Sequence, residues 1–172
     1  MILRPASPAD VPALAALARE SFCHAFAHLY RPEDLASFLA AEKSDSAIAG
    51  KVADERCLIQ LALDEPGGAL AGYCLLEYPS PYASHSEAAD PIMLGQLYCA
   101  PQRTGAGIGA ALLEWALAEA RSRGCDAVQL SVWSGNLGAQ RFYARYGFAK
   151  IADVEFWVGE QCDEEFLFEL RL

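Results

Sequence analysis

The stretch Pro101-Gln102-Arg103-Thr104-Gly105-Ala106-Gly107-Ile108-Gly109-Ala110-Ala111-Leu112-Leu113 constrains this chain more than any other. It follows an apolar run, Ile92 to Cys99, that reads as a strand. It opens an apolar-periodic segment, Ile108 to Ala120, that reads as a helix. A strand, a glycine-rich turn and a helix start make a phosphate site, because the first helical N–H groups lack intrahelical partners and the macrodipole is positive there. Glycines at these positions let the backbone come close to a bulky anion. A Walker A loop needs a lysine that is missing here, and the GxGxxG spacing of a dinucleotide fingerprint is not met. What is met is Gln-x-x-Gly-x-Gly, as Gln102, Gly105 and Gly107. A glycine-rich helix start that binds nothing carries the same residues, so the rest of the chain has to decide.

With 172 residues, 53% of them hydrophobic, the chain is expected to form one domain over 1–172 with a sizeable core. Its longest apolar stretches fall short of the ~18 residues of a membrane span. Met1-Ile2-Leu3-Arg4-Pro5 lacks the basic-then-apolar order of a signal peptide. Six cysteines are scattered without a CxxC pair, which reads as buried free thiols in a reducing cytoplasm. The net charge of −10 leaves no basic stripe for a nucleic acid. It suits a cationic small substrate such as an amine, and it equally serves acidic solubility.

In chain order, Ile2 to Arg4 reads as a short strand, and Ser7-Pro8-Ala9-Asp10 has capping-box character. A helix follows through Leu14, Leu17, Ala18, Ser21, Phe22 and Ala25. His24 and His28 lie four apart, but no third ligand accompanies them and no metal is expected. Arg31-Pro32-Glu33-Asp34 opens a second helix carrying Leu35, Phe38 and Leu39, and Ser44 or Asp45 caps a third through Ile48 and Val52. Cys57 to Leu63 and Leu70 to Tyr78 read as an antiparallel hairpin, followed by a polar loop over 79–86. Gly124 stops the helix behind Arg121 and Arg123. Val128, Leu130 and Val132 alternate with polar partners as a strand. Asn136 then leads into a helix over Ala139, Phe142, Tyr143 and Tyr146. Phe148 to Ala152 and Glu165 to Leu170 read as the last strands, joined through Gly159-Glu160-Gln161-Cys162-Asp163.

Leu97-Tyr98-Cys99-Ala100-Pro101, the Gln102–Gly107 loop, and the run from Val132 through Asn136 and Ala139 to Gly147-Phe148 together resemble the GCN5-related N-acetyltransferases (GNAT). A narrower set is similar to the PaiA-type polyamine acetyltransferases: Ser21-Phe22-x-x-x-Phe26, Pro32-Glu33-Asp34-Leu35, Val132-Trp133 and Glu155-Phe156-Trp157-Val158-Gly159. The chain departs from that subgroup at Gly95 and Gln96, where acidic residues are expected, and at Glu155, where a histidine is common. The resemblance implies an α/β fold: a mixed, mostly antiparallel sheet of six to seven strands with splayed central strands, flanked by helices on both faces. It also implies transfer of acetyl from acetyl-CoA to a primary amine, a polyamine among them, by direct attack in a ternary complex. No nucleic acid or membrane partner is implied, and the edge of the last strands offers a surface for a homodimer.

Roles follow from the resemblance. Leu97, Tyr98 and Cys99 would contact the pantetheine arm through their backbones, with the Cys99 N–H as oxyanion donor. Gln102, Arg103, Thr104, Gly105, Ala106, Gly107, Ile108, Gly109 and Ala110 would wrap the pyrophosphate. Asn136, beside Ala139, would bond the pantetheine or cap the helix, and both roles are compatible. Tyr143 would be the acid that protonates the CoA thiolate, against an alternative of plain aromatic packing. Arg145 reaches the 3′-phosphate or solvent. The base is open among Glu77, Tyr78, Glu155 and a water relay. Phe22, Phe26 and Tyr30 would line the acceptor pocket, whose elements fall mainly in 20–50 and 77–91, with the acetyl-CoA site mainly in 97–146. Two other readings stand beside this one: a protein or peptide α-amine acceptor, and a non-catalytic acyl-CoA-binding sensor.

Overall fold

The computed structural model describes all 172 residues. Seven strands form one sheet in the order β1-β2-β3-β4-β5-β7-β6. The first three, β1 (Ile2–Pro5), β2 (Cys57–Leu63) and β3 (Leu70–Glu77), pair antiparallel, and β3 pairs antiparallel with β4 (Pro91–Cys99). The β4–β5 pair is parallel and short: only Pro91–Met93 meets Ala127–Gln129 of β5 (Ala127–Trp133). Beyond Met93 the two strands part, and the second half of β4 is left without a neighbour on that side. β7 (Gln161–Arg171) covers the other edge of β5 along its whole length, and β6 (Ala149–Val158) forms the outer edge.

The alternation of β3 explains why both faces are covered. Gly72, Cys74 and Leu76 point to one side, where Ile108, Leu112, Leu113 and Ala116 of α4 (Ile108–Ser122) pack on them. Tyr73 and Leu75 point to the other, against Leu14, Leu17 and Ala18 of α1 (Val11–Phe26) and Ile48 of α3 (Asp45–Ala53). A third, aromatic cluster joins Phe22 of α1, Phe38 of α2 (Pro32–Glu42) and Val158 of β6. Local signals act where expected. The Asp10 carboxylate accepts from the Ser7 N–H (2.8 Å) and hydroxyl (2.7 Å), and the Ser44 hydroxyl accepts from the Ala47 N–H at 3.2 Å. α5 (Leu137–Arg145) begins at Asn136, whose side chain accepts from the Ala139 N–H at 3.1 Å.

One expectation is corrected. The last two strands are longer than the alternation near Phe148 and Glu165 implied: β6 runs on to Val158, β7 starts at Gln161, and only Gly159-Glu160 turns between them. Ladder pairing of Trp157 to Cys162 and Phe156 to Asp163 holds the start of β7, whose own Gln161–Glu164 pattern is too polar to announce a strand.

Candidate active site

A cleft of about 1380 Å³ opens where β4 and β5 part. Its floor on the β4 side is Gly95 to Cys99. The Ala100 N–H bonds back to Ala71 O on β3 at 2.9 Å, so strand alternation turns the Cys99 N–H to the opposite, open edge. At one end stand Thr104, Gly105 and Gly107 to Ala110. Gly107 is the N-cap of α4 with φ +79°, a left-handed conformation that a side chain would strain, and no side chain caps the helix. The first N–H groups of α4 are therefore unclaimed by any cap, and a Cβ at Gly105 or Gly107 would meet nothing within 4 Å. That open cradle fits a pyrophosphate. Gln102, Arg103 and Ala106 lie outside the cleft wall. Gln102 donates to Glu20 at 3.0 Å and Arg103 forms an ion pair with Asp64, so the side-chain charge expected near the phosphates is engaged elsewhere.

Tyr143, Asn136, Ala139 and Arg145 bring α5 to the opposite wall. Phe142 stands edge-on to Tyr143, with ring centroids 5.2 Å apart, and the Arg145 guanidinium lies 5.6 Å over the Phe142 ring. Burial, with the Cys74 and Cys99 thiols nearby, pushes the Tyr143 phenol well above its ordinary pKa, so it is protonated at neutral pH. The Cys99 thiol is also raised by burial.

The other end is aromatic. Phe22 lies 5.3 Å from Phe26, 6.1 Å from Tyr30 and 4.6 Å from Phe38, and Phe156 closes on Phe38 at 5.7 Å. Tyr30 donates to Asp163 at 2.5 Å. Glu77 and Glu155 line the cleft as expected of base candidates. Tyr78 does not: its hydroxyl donates to Asp90 at 2.8 Å. Asp126 holds the Ala89 and Asp90 N–H groups (2.8 and 2.9 Å) at the start of β4, away from the cleft, and Tyr78 is withdrawn from the acceptor wall. Tyr82, in the same segment, lies beside Ser131 and Glu165 of the cleft wall.

Two cleft residues escaped the sequence reading. Glu165, opposite Trp133 in the β5–β7 ladder, has its pKa raised by burial first and by Asp163, with the nearby Ser131 hydroxyl opposing. Lys43, just past α2, is 3% exposed and its ammonium donates to Gln96 Oε1 at 2.9 Å. A strand that alternates between core and cleft hides such a carboxylate as an outward polar position. A lysine at a helix end reads as solvated until Gln96, 53 residues on, is folded against it.

An uncapped glycine turn beside a parted sheet edge fits one class of acyl-CoA-dependent acyltransferases, in which a phosphate-bearing arm lies along an open strand. Within that class the chain belongs to the acetyltransferase (GNAT) family, whose model matches residues 14–148. It is 32% identical over 163 residues to an uncharacterised N-acetyltransferase of Mycobacterium tuberculosis (strain ATCC 25618 / H37Rv), covering 95% of this chain and 98% of that one. It is 29% identical over 115 residues to the thialysine N-epsilon-acetyltransferase of Bos taurus, covering 66% of this chain and 67% of that one. Its fold is similar to that of the PaiA N-acetyltransferase from Thermoplasma acidophilum in complex with coenzyme A, with a TM-score of 0.80, 22% identity, and 99% and 98% of the two chains covered. The chain is thus an N-acetyltransferase with acetyl-CoA as its acetyl donor and the α/β fold that the motifs implied. No helix is long and apolar enough to cross a membrane.

Proposed function

We propose that this enzyme acetylates a small primary aliphatic amine by direct transfer in a ternary complex. The observation that carries this reading is the meeting, in one cleft, of a glycine cradle, an open strand edge and two groups of opposite proton duty, Tyr143 and Glu165. The N–H groups of 107–110 would hold the pyrophosphate, and Asn136 with the open edge of Leu97 to Cys99 would hold the pantetheine. Glu165 would take a proton from the ammonium, freeing its lone pair to attack the thioester carbonyl carbon. The Cys99 N–H would meet the charge growing on the carbonyl oxygen as the C–N bond forms; the C–S bond breaks as the carbonyl is restored, and the nitrogen sheds its second proton to solvent. Tyr143 would give its proton to the departing thiolate.

Four carboxylates on the cleft wall, Glu42, Glu77, Glu155 and Glu165, support a cationic acceptor. Polyamines, the acceptors implied by the PaiA-like motifs, and a lysine-like side-chain amine, as in the name of the bovine relative, both end in such a group. Free cysteines at all six positions support a reducing compartment, the cytoplasm.

The test is release of CoA thiol from acetyl-CoA across a panel of amines, with Tyr143→Phe beside the native enzyme. Turnover is expected to fall about 10²-fold or more in the variant while CoA affinity, read by calorimetry, holds. A sensor module would bind CoA and turn over nothing in either form, and that result would overturn the reading.

A further inference from the structure

The Lys43 ammonium is a buried cation in the cleft that no carboxylate pairs with. It is 3% exposed, and its only hydrogen bond goes to a neutral acceptor, the Gln96 amide oxygen, which already accepts from the Tyr73 hydroxyl at 2.7 Å. The ammonium stands 5.9 Å from the Phe22 ring centre and 5.3 Å from that of Tyr98, so its remaining sides face aromatic wall and cleft. The nearest acid in sequence, Glu42, is turned instead to Lys51 at 3.5 Å. Burial, then repulsion from Lys51, pulls the Lys43 pKa down to about 7, with Glu42 opposing. Its backbone is fixed as well, since Arg19 donates to Lys43 O at 2.8 Å. A desolvated cation without a counter-charge is costly, and a ligand that brings the missing charge recovers that cost.

From this we infer that the acceptor carries a carboxylate as well as its amine, and that Lys43, flanked by Phe22, Gln96 and Tyr98, is the group that holds it. One compact ammonium balances one negative charge. A dianionic phosphate would be left half-compensated beside Glu42 and Glu77, which line the same cleft. The inference rests on the acetyltransferase reading and narrows its acceptor from amines at large to amino-acid-like amines.

Matched pairs that differ only by the carboxylate test it: lysine against cadaverine, and ornithine against putrescine. Native enzyme is expected to show kcat/KM about tenfold or more in favour of the carboxylated member of each pair. In Lys43→Met that ratio should collapse toward one, mainly through KM. A native ratio at or below one, or a ratio unmoved by Lys43→Met, overturns the inference. Calorimetry on the native CoA complex reads the same preference without turnover or variant: lysine binding more tightly than cadaverine supports it, and equal or reversed binding overturns it. Should none of the four amines be acetylated, the acetyltransferase reading fails for this acceptor class, and the calorimetric preference still decides the role of Lys43.

Discussion

A carboxylate that must take a proton from an amine works best when its own pKa climbs toward that of the medium, and Glu165 is held in that direction by burial. The sign is set by the ionised form being the active one. Activity is present above the raised pKa and is lost as pH falls through it, so the acid limb of kcat/KM should lie above the ordinary carboxylate range. Glu165→Gln should lower kcat about 10²-fold and abolish that limb, whereas Glu155→Gln should leave it in place. A pH–rate profile of the three enzymes checks this, and an unchanged limb in Glu165→Gln would move the base to Glu77 or a water. Tyr143 is shifted in the same direction for the opposite duty. The same burial that raises both groups keeps the phenol an acid donor and makes the carboxylate a better acceptor.

Among the elements, α2 and the β6–β7 hairpin form the aromatic wall of the acceptor end, and one glycine lets them meet. Gly159 has φ +57°, and a Cβ there would lie 2.4 Å from Asp34 Oδ1 and 2.6 Å from Asp34 Cα. The Asp34 carboxylate in turn accepts from the Glu160 N–H at 2.9 Å and from Arg31 Nε at 2.7 Å. Gly159→Ala combines left-handed strain with a backbone collision. It should destabilise the protein by about 2–4 kcal/mol in denaturant titrations and raise the acceptor KM without weakening CoA. The Gly105–Gly109 turn was legible in the sequence because backbone geometry alone demands those residues. The aromatic spacing of Phe22 and Phe26 was legible because a helix repeats it, with Tyr30 just past the helix end. Lys43, Glu165 and the far half of β6 were not, because each takes its role from a partner distant in the chain: Gln96, the parted β5 edge, and the β7 ladder. The 79–91 segment was legible as a loop, but composition does not say that Tyr82 comes to Ser131 at the cleft while Ala89 and Asp90 are tied to Asp126.

At the scale of the whole molecule two electrostatic effects compete for the acceptor. The net charge of −10 sets up a field that draws a dication such as cadaverine more strongly than lysine, whose net charge is +1 at neutral pH. Lys43 acts against that field, at contact distance and in a desolvated pocket where a single pair interaction is far stronger than in water. The two differ in their response to salt, because ions screen long-range attraction between exposed charges within about a Debye length and screen buried pairs much less. Raising NaCl from about 20 mM to about 300 mM should therefore cut kcat/KM for cadaverine several-fold and for lysine less, so that the lysine-to-cadaverine ratio climbs with ionic strength. In Lys43→Met the local pair is gone and only the field remains. Its ratio should start at or below one and rise no further than one as the field is screened. Parallel salt curves for the two acceptors in the native enzyme would mean that the pocket reads only the amine, and that the acidic surface alone does the selecting.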